Sequence, residues 1–213
     1  MSNLKVLLFN GSPNQSGCTF TALEEIANTL KIENIDSTIF HVGNDPISSC
    51  KACGACSKLK KCVINDKVNE FVELANNFDG FVIGSPVHYA SASGATASFL
   101  DRAFYSASRT GKNIFTHKPA TAIVISRRAG TTTTLDQLNK YFTINQMPIV
   151  SGRYWNMVHG RTPEEVKQDI EGMQNMRFVA RNMAWILNCI KEAKKNNIMP
   201  PIQEEVVMTN FIR

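Results

Sequence analysis

Four of the six cysteines crowd into one short segment, as Cys50-x2-Cys53-x2-Cys56-x5-Cys62, while Cys18 and Cys189 stand apart. Two-residue gaps let successive thiolates curl round one polynuclear centre, and three close cysteines with a nearby fourth are a recurring iron–sulfur arrangement. Structural zinc more often uses two well-separated ligand pairs, and no second pair or histidine couple follows here. The alternative reading is a set of reduced thiols packed under a loop. Lys58, Lys60 and Lys61 flank the segment and would either offset the charge of a thiolate-bound centre or form a solvated rim.

A second stretch, Asn10-Gly11-Ser12-Pro13-Asn14-Gln15-Ser16-Gly17-Cys18-Thr19, presents hydroxyls, amides and backbone N–H groups. The apolar run Val6–Phe9 before it reads as a buried parallel strand, and Thr21–Leu30 after it reads as a helix. At a helix N-terminus the aligned peptide dipoles favour an anion, so this loop is a phosphate candidate. A plain turn with a serine-type cap is the competing reading. Two further loops end on strand-like runs: Ser85-Pro86-Val87-His88-Tyr89 and Ser126-Arg127-Arg128-Ala129-Gly130-Thr131.

The elements that must position these loops alternate along the chain. Ser37–Val42, Gly80–Gly84 and Ala120–Ile125 read as strands, and Met147–Val150 begins a last one, with an irregular extension through Trp155 and Val158. Helical spacing marks about Asp66 to Asn76, Ser93 onward with Phe99, Leu100, Ala103 and Phe104 on one side, and about Thr133 to Asn145. Thr162-Pro163-Glu164-Glu165 is a helix start with a capping hydroxyl and a first-turn proline. That helix should run to about Lys195, with a weakness at Gly172, before Pro200-Pro201 stops it. Five strands and five helices give an α/β fold, a three-layer doubly wound parallel sheet of order 2-1-3-4-5. This order gathers loops 11–19, 85–94 and 126–131 at one sheet edge, which favours the phosphate reading.

Composition narrows the classes. The 213 residues suit one domain, and 43% hydrophobic with 19% charged residues describes a globule rather than a disordered chain. A net charge of +5, spread out, lacks the dense basic face with interleaved aromatics that nucleic acid requires. Lys5 is followed by only a four-residue apolar run, so no signal peptide is read, and no stretch approaches the roughly 20 apolar residues of a membrane helix. The expected location is cytoplasmic, with no membrane partner.

Three stretches resemble the flavodoxin-like NAD(P)H-dependent FMN reductase superfamily. Gly11-Ser12-Pro13 with Gly17-Cys18-Thr19 is similar to its Gly-Ser-Pro…Gly-Asn-Thr phosphate loop. Gly84-Ser85-Pro86-Val87-His88-Tyr89, followed by Phe99-Leu100-Asp101-Arg102, is similar to its flavin-ring loop, and residues 120–134 match its third loop and threonine-rich helix start. The chain departs at Cys18, where the family commonly has asparagine, and at His88, where tyrosine is frequent. The cysteine spacing resembles the archaeal and anaerobic iron–sulfur flavoprotein branch.

The resemblance implies FMN as cofactor. Ser12, Asn14, Ser16 and Thr19, with Cys18 as a weak thiol donor, would grip its phosphate without a metal. Pro86, Val87, His88 and Tyr89 would form a slot for the ring, and Arg127, Arg128 or the N–H groups through Gly130 would donate to the N1/O2 edge, where electron density builds on reduction. It also implies that Cys50, Cys53, Cys56 and Cys62 ligate a [4Fe-4S] cluster. The expected function is FMN-dependent NAD(P)H oxidation with electron transfer to a small-molecule acceptor, with the chemistry carried by FMN rather than by a protein nucleophile. The alternatives are an iron–sulfur flavoprotein fed by a ferredoxin-like donor and a non-enzymatic redox sensor. The expected organisation is a flavodoxin-like domain over 1–197, with the cysteine loop 50–62 inserted after the second strand and a tail over 198–213. The resemblance further implies a homodimer or homotetramer.

Overall fold

The computed structural model describes residues 3–211, so the last two residues of the expected tail lie outside the described residues. In chain order the elements are β1 (Lys5–Asn10), α1 (Cys18–Ile32), β2 (Asp36–His41), α2 (Cys56–Leu59), α3 (Lys67–Ala75), β3 (Gly80–His88) and β4 (Ser91–Ala92). They continue as α4 (Gly94–Ser108), β5 (Ala120–Ser126), α5 (Thr131–Ile144), β6 (Met157–His159), α6 (Pro163–Gln168) and α7 (Ile170–Lys195). The sheet runs β2-β1-β3-β5-β6 with every neighbour parallel, and two-residue β4 folds back antiparallel on the end of β3. Counting only the parallel strands, this is the expected order 2-1-3-4-5.

Side chains that alternate along each strand divide the core in two. Leu7, Phe9, Phe81 and Ile83 face α3, α4 and α5, whereas Val6, Leu8, Val82 and Ile123 face α1 and α7. On the first face Phe9, Phe71 and Phe99 pack with centroids 4.7 to 5.7 Å apart, a tilted and edge-on cluster in which each pair adds about 0.5–1.5 kcal/mol beyond its buried area. On the second, Met176, Val179, Ala180, Met183 and Leu187 recur at helical spacing on α7 and are all fully or almost fully buried. Among the described residues no helix is long and apolar enough to cross a membrane.

Two expectations about the last third need correction. Residues 147–150 do not form the last core strand: they contribute one bridge, Ala120 to Ile149, and the strand proper is β6. Pro148 has no N–H for the ladder. The segment between is held out of the sheet by side chains: Asn175 Oδ1 accepts the N–H of Arg153 and Tyr154, and Asn156 Oδ1 accepts that of Gly152. The final helix is also not continuous. It breaks at Asp169, whose ψ of 78° is not helical, rather than at Gly172. The Asp169 carboxylate caps α7 by accepting from Gly172 N–H at 2.9 Å and also takes the N–H of His159 at 2.7 Å.

Candidate functional site

The first loop rises from β1 and is built by its own short side chains. Asn10, fully buried, accepts the Ser12 N–H through Oδ1 at 3.1 Å and donates through Nδ2 to the Gln15 carbonyl at 3.1 Å. Ser12 Oγ then accepts the Asn14 N–H at 3.1 Å, and Asn14 Oδ1 accepts the Ser16 N–H at 3.3 Å. These local bonds are the turns that asparagine and serine favour. The chain reaches α1 through Gly17, and no side chain caps that helix. Its first N–H groups therefore point out of the loop with the positive end of the dipole behind them. Ser12 and Thr19 are buried there, while Asn14 and Ser16 are exposed.

Cys18 is the first residue of α1 and half-buried. Burial pushes its thiol above the ordinary range, a backbone hydrogen bond partly offsets this, and Glu165 and Glu164 add to the rise. A protonated thiol is only a weak donor.

The second loop clamps onto the first. Ser93 caps α4, accepting the Thr96 N–H, and both hydroxyls donate to the Gly11 carbonyl, at 3.1 Å and 3.0 Å. The Gly11 N–H donates in turn to the Gly84 carbonyl at 2.9 Å. A side chain at Gly11 would lie 2.0 Å from Thr96 Oγ1, so glycine is required by close approach. Residues 85–88, read as a loop from sequence, continue β3: Ser85 and Pro86 pair with β5, and Val87 and His88 pair with β4, which stiffens the segment. Pro86 and Val87 are half-buried and His88 is exposed. Tyr89 is fully exposed, with φ of 50°, and covers nothing in its own chain.

The third loop meets the second. Gly130, at φ of 90°, starts α5, and a Cβ there would stand 2.7 Å from Ala90 Cα and 2.9 Å from Val87 Cγ1. Arg127 and Arg128 are exposed. Ser126 lies one residue before them, and its Oγ is buried without a hydrogen-bond partner. The three loops thus join at the carboxyl edge of the sheet, across the gap between β1 and β3 where the strand order reverses, and this is where open parallel sheets take ligands. The residues fit a phosphorylated planar ligand: an uncapped helix start, hydroxyls beside it, two glycine-permitted backbone approaches and an unsatisfied buried hydroxyl at the far loop. A groove of about 350 Å³ between His117, Lys118, Lys191 and Lys194 lies at the opposite, amino edge, away from these loops.

Cys50, Cys53, Cys56 and Cys62 line one pocket, together with Val63, Arg102 and Tyr105. The loop bends round it through left-handed backbone at Ala52, Gly54 and Lys60, and α2 begins at buried Cys56. Among the described residues no three His, Cys, Asp or Glu side chains close on a single ion. Four thiols lining one pocket are the donor set that a polynuclear iron–sulfur centre takes. Arg102 forms the pocket's wall from α4 and is 1% exposed. Its guanidinium meets Asp66 through Nη1 at 2.6 Å and Nη2 at 2.8 Å.

Sequence reasoning named the three loops and the four cysteines. It placed Asn10 and Ser126 in those loops without giving either a role of its own, and it missed the part of Ser93 and Thr96 in holding the first loop. The Ser93-x2-Thr96 spacing was the available signal, since a capping hydroxyl before a helix is legible in sequence.

A family model described as NADPH-dependent FMN reductase matches residues 4–162. An iron–sulfur flavoprotein of Methanocaldococcus jannaschii is 26% identical over 200 residues, covering 89% of this chain and 100% of the relative. Among solved structures, RosB with the bound intermediate 8-demethyl-8-formylriboflavin-5'-phosphate superposes with a TM-score of 0.69 at 14% identity, covering 97% of this chain and 92% of that one. A flavodoxin from the domain Archaea superposes at 0.57 with 10% identity, covering 86% and 98%. Both structural likenesses establish the fold.

Proposed function

The chain belongs to the NADPH-dependent FMN reductase family and is an FMN-dependent oxidoreductase, and on that premise we propose that its three carboxyl-edge loops hold the FMN. The observation that carries this reading is their junction across the β1/β3 gap, with the uncapped start of α1 on one side and the unpartnered Ser126 hydroxyl on the other. The α1 N–H groups, with Ser12, Asn14, Ser16 and Thr19, would bind the phosphate. Ser12 accepts the Asn14 N–H, which leaves its own proton available to a phosphate oxygen. Cys18, kept protonated, adds little. Pro86 and Val87 would lie along the ring and exclude water from one face, supported by the β3–β4 hairpin. Arg127, Arg128 and the N–H groups through Gly130 would offset charge at the N1/O2 edge, and Ser126 Oγ is a further donor that can orient the ring.

FMN, when bound, supplies the two-electron chemistry that links NAD(P)H to an acceptor. The protein binds, orients and shields, and no side-chain nucleophile is required. This reading assigns NAD(P)H as electron donor, which the family's description supports, and a quinone, flavin, azo or nitro compound as acceptor. His88 and Tyr89, both exposed, are available to an incoming substrate or to a second copy of the chain in a homodimer or homotetramer.

A second reading concerns the cysteine loop. Four cysteines on one pocket, in a chain similar along most of its length to an iron–sulfur flavoprotein, support ligation of a [4Fe-4S] cluster by Cys50, Cys53, Cys56 and Cys62. Electrons would then pass between the cluster and FMN, with a ferredoxin-like protein as donor. Helix α4 touches both sites: Thr96 holds the first loop and Arg102 walls the cysteine pocket. Six residues of helix separate these two positions, about 9 Å along the axis.

Anaerobic purification followed by an ultraviolet–visible spectrum and iron and sulfide analysis tests both readings. Flavin bands with NAD(P)H oxidation, and four irons per chain on the order of the cubane formula, are the expected results. A colourless protein that binds no added FMN would overturn the first reading, and a yellow protein without iron would overturn the second.

A further inference from the structure

Arg102 has the largest side chain among those almost completely buried in this chain, and its surroundings account for every donor it carries. Nη1 donates to the Asp66 carboxylate and to the Ser48 carbonyl at 3.3 Å, and Nη2 donates to Asp66 and to the Ile64 carbonyl at 3.2 Å. The remaining donor, Nε, points to Cys62 Sγ at 3.4 Å. Burial alone would lower the Arg102 pKa, but the bonds to Asp66 and Cys62 outweigh it and hold the guanidinium charged.

Two jobs are separable in that list. The four Nη contacts fasten the segment from Ser48 to Asp66 against α4, which gives the cysteine loop its shape. The Nε–H makes none of these four contacts. It meets instead Cys62 Sγ, six residues beyond the compact trio. Hydrogen bonds to ligand sulfur withdraw electron density and stabilise the reduced, more negative state of an iron–sulfur centre.

We propose that Arg102 is a positioning and tuning residue for the cysteine site: its Nε–H bond to Cys62 Sγ sets the reduction potential of the bound cluster. The proposal rests on the cluster reading above. The Asp66 carboxylate balances the guanidinium charge, so the bond to sulfur and not net charge carries the effect. Lysine would keep the charge and lose both the fork and the Nε–H.

The test uses full-length protein purified anaerobically, as wild type and as Arg102→Lys. Iron and acid-labile sulfide are measured first, and a potentiometric titration then follows the cluster and the FMN separately. The expected result is an iron-loaded variant whose cluster potential moves to more negative values while its FMN potential stays unchanged. An iron-loaded variant with the wild-type cluster potential would overturn the proposal and leave Arg102 a structural tie. Wild type without iron would overturn the cluster reading, and this inference with it. Should the variant lose its iron, electron–nuclear double resonance on reduced wild type containing isotope-labelled arginine reads the same contact. A nitrogen coupling from arginine supports the bond, and its absence overturns the proposal.

Discussion

Gly130 and Ala90 touch backbone to backbone, so closely that a Cβ on Gly130 would lie 2.7 Å from Ala90 Cα. This contact joins the second and third carboxyl-edge loops, and the φ of 90° at Gly130 gives it a conformation that residues with a Cβ seldom adopt. Gly130→Ala should therefore cost about 1–3 kcal/mol of stability from backbone strain, with the clash in addition. Chemical denaturation should show this loss, and FMN titration of the folded variant should show weaker binding because both loops must shift.

Asp169 ends one helix, caps the next and anchors β6 through the His159 N–H. Removing its carboxylate leaves two N–H groups without their acceptor. Asp169→Ala is expected to destabilise by about 1–2 kcal/mol, the range of a lost helix cap, and Asp169→Asn by less because its amide oxygen can still accept. Thermal melts of the two variants check the ordering.

Why the sequence yielded some of this and withheld the rest is visible in these residues. Runs such as Val6–Phe9 and Gly80–Gly84 declare buried parallel strands because nearly every side chain is apolar, and order and ligand edge followed from them. The last strand was misread because Val150 and Ile149 carry strand-like side chains, whereas the ladder was decided by Asn156 and Asn175, whose amides hold residues 152–154 out of the sheet. No local pattern announces a bond between residues 22 apart. Gly172, a poor helix former, reads as the weak point, but the helix breaks at Asp169, three residues earlier, whose carboxylate also holds β6. In the candidate site, loops are legible by their small polar residues, whereas Arg102 reads only as part of the stretch that follows the second loop, with no link to the cysteines. Its partners Ser48, Cys62, Ile64 and Asp66 come together only in the fold.

Tyr141 donates to Asp101 Oδ1 at 2.5 Å, and burial together with that carboxylate holds its phenol well above the ordinary value of about 10. The native state thus binds the phenolic proton more tightly than the unfolded chain does. Its stabilising effect is complete below pH of about 10 and is lost as pH rises further. Denaturation midpoints between roughly pH 9 and 11 should fall with pH more steeply in the wild type than in Tyr141→Phe.

The loop from Gly11 to Thr19 is proposed to hold the FMN phosphate. Each hydroxyl bonded to a charged group contributes about 1.5–3 kcal/mol, so losing two should weaken binding at least about a hundredfold. The direct measurement is titration of FMN into flavin-free wild type and into the Ser12→Ala, Thr19→Ala double variant, followed by quenching of flavin fluorescence, with circular dichroism to show that the fold is kept. Tight binding by the wild type and weak or lost binding by a folded double variant are expected. A double variant that is folded and binds FMN as tightly as wild type would contradict that role for the loop.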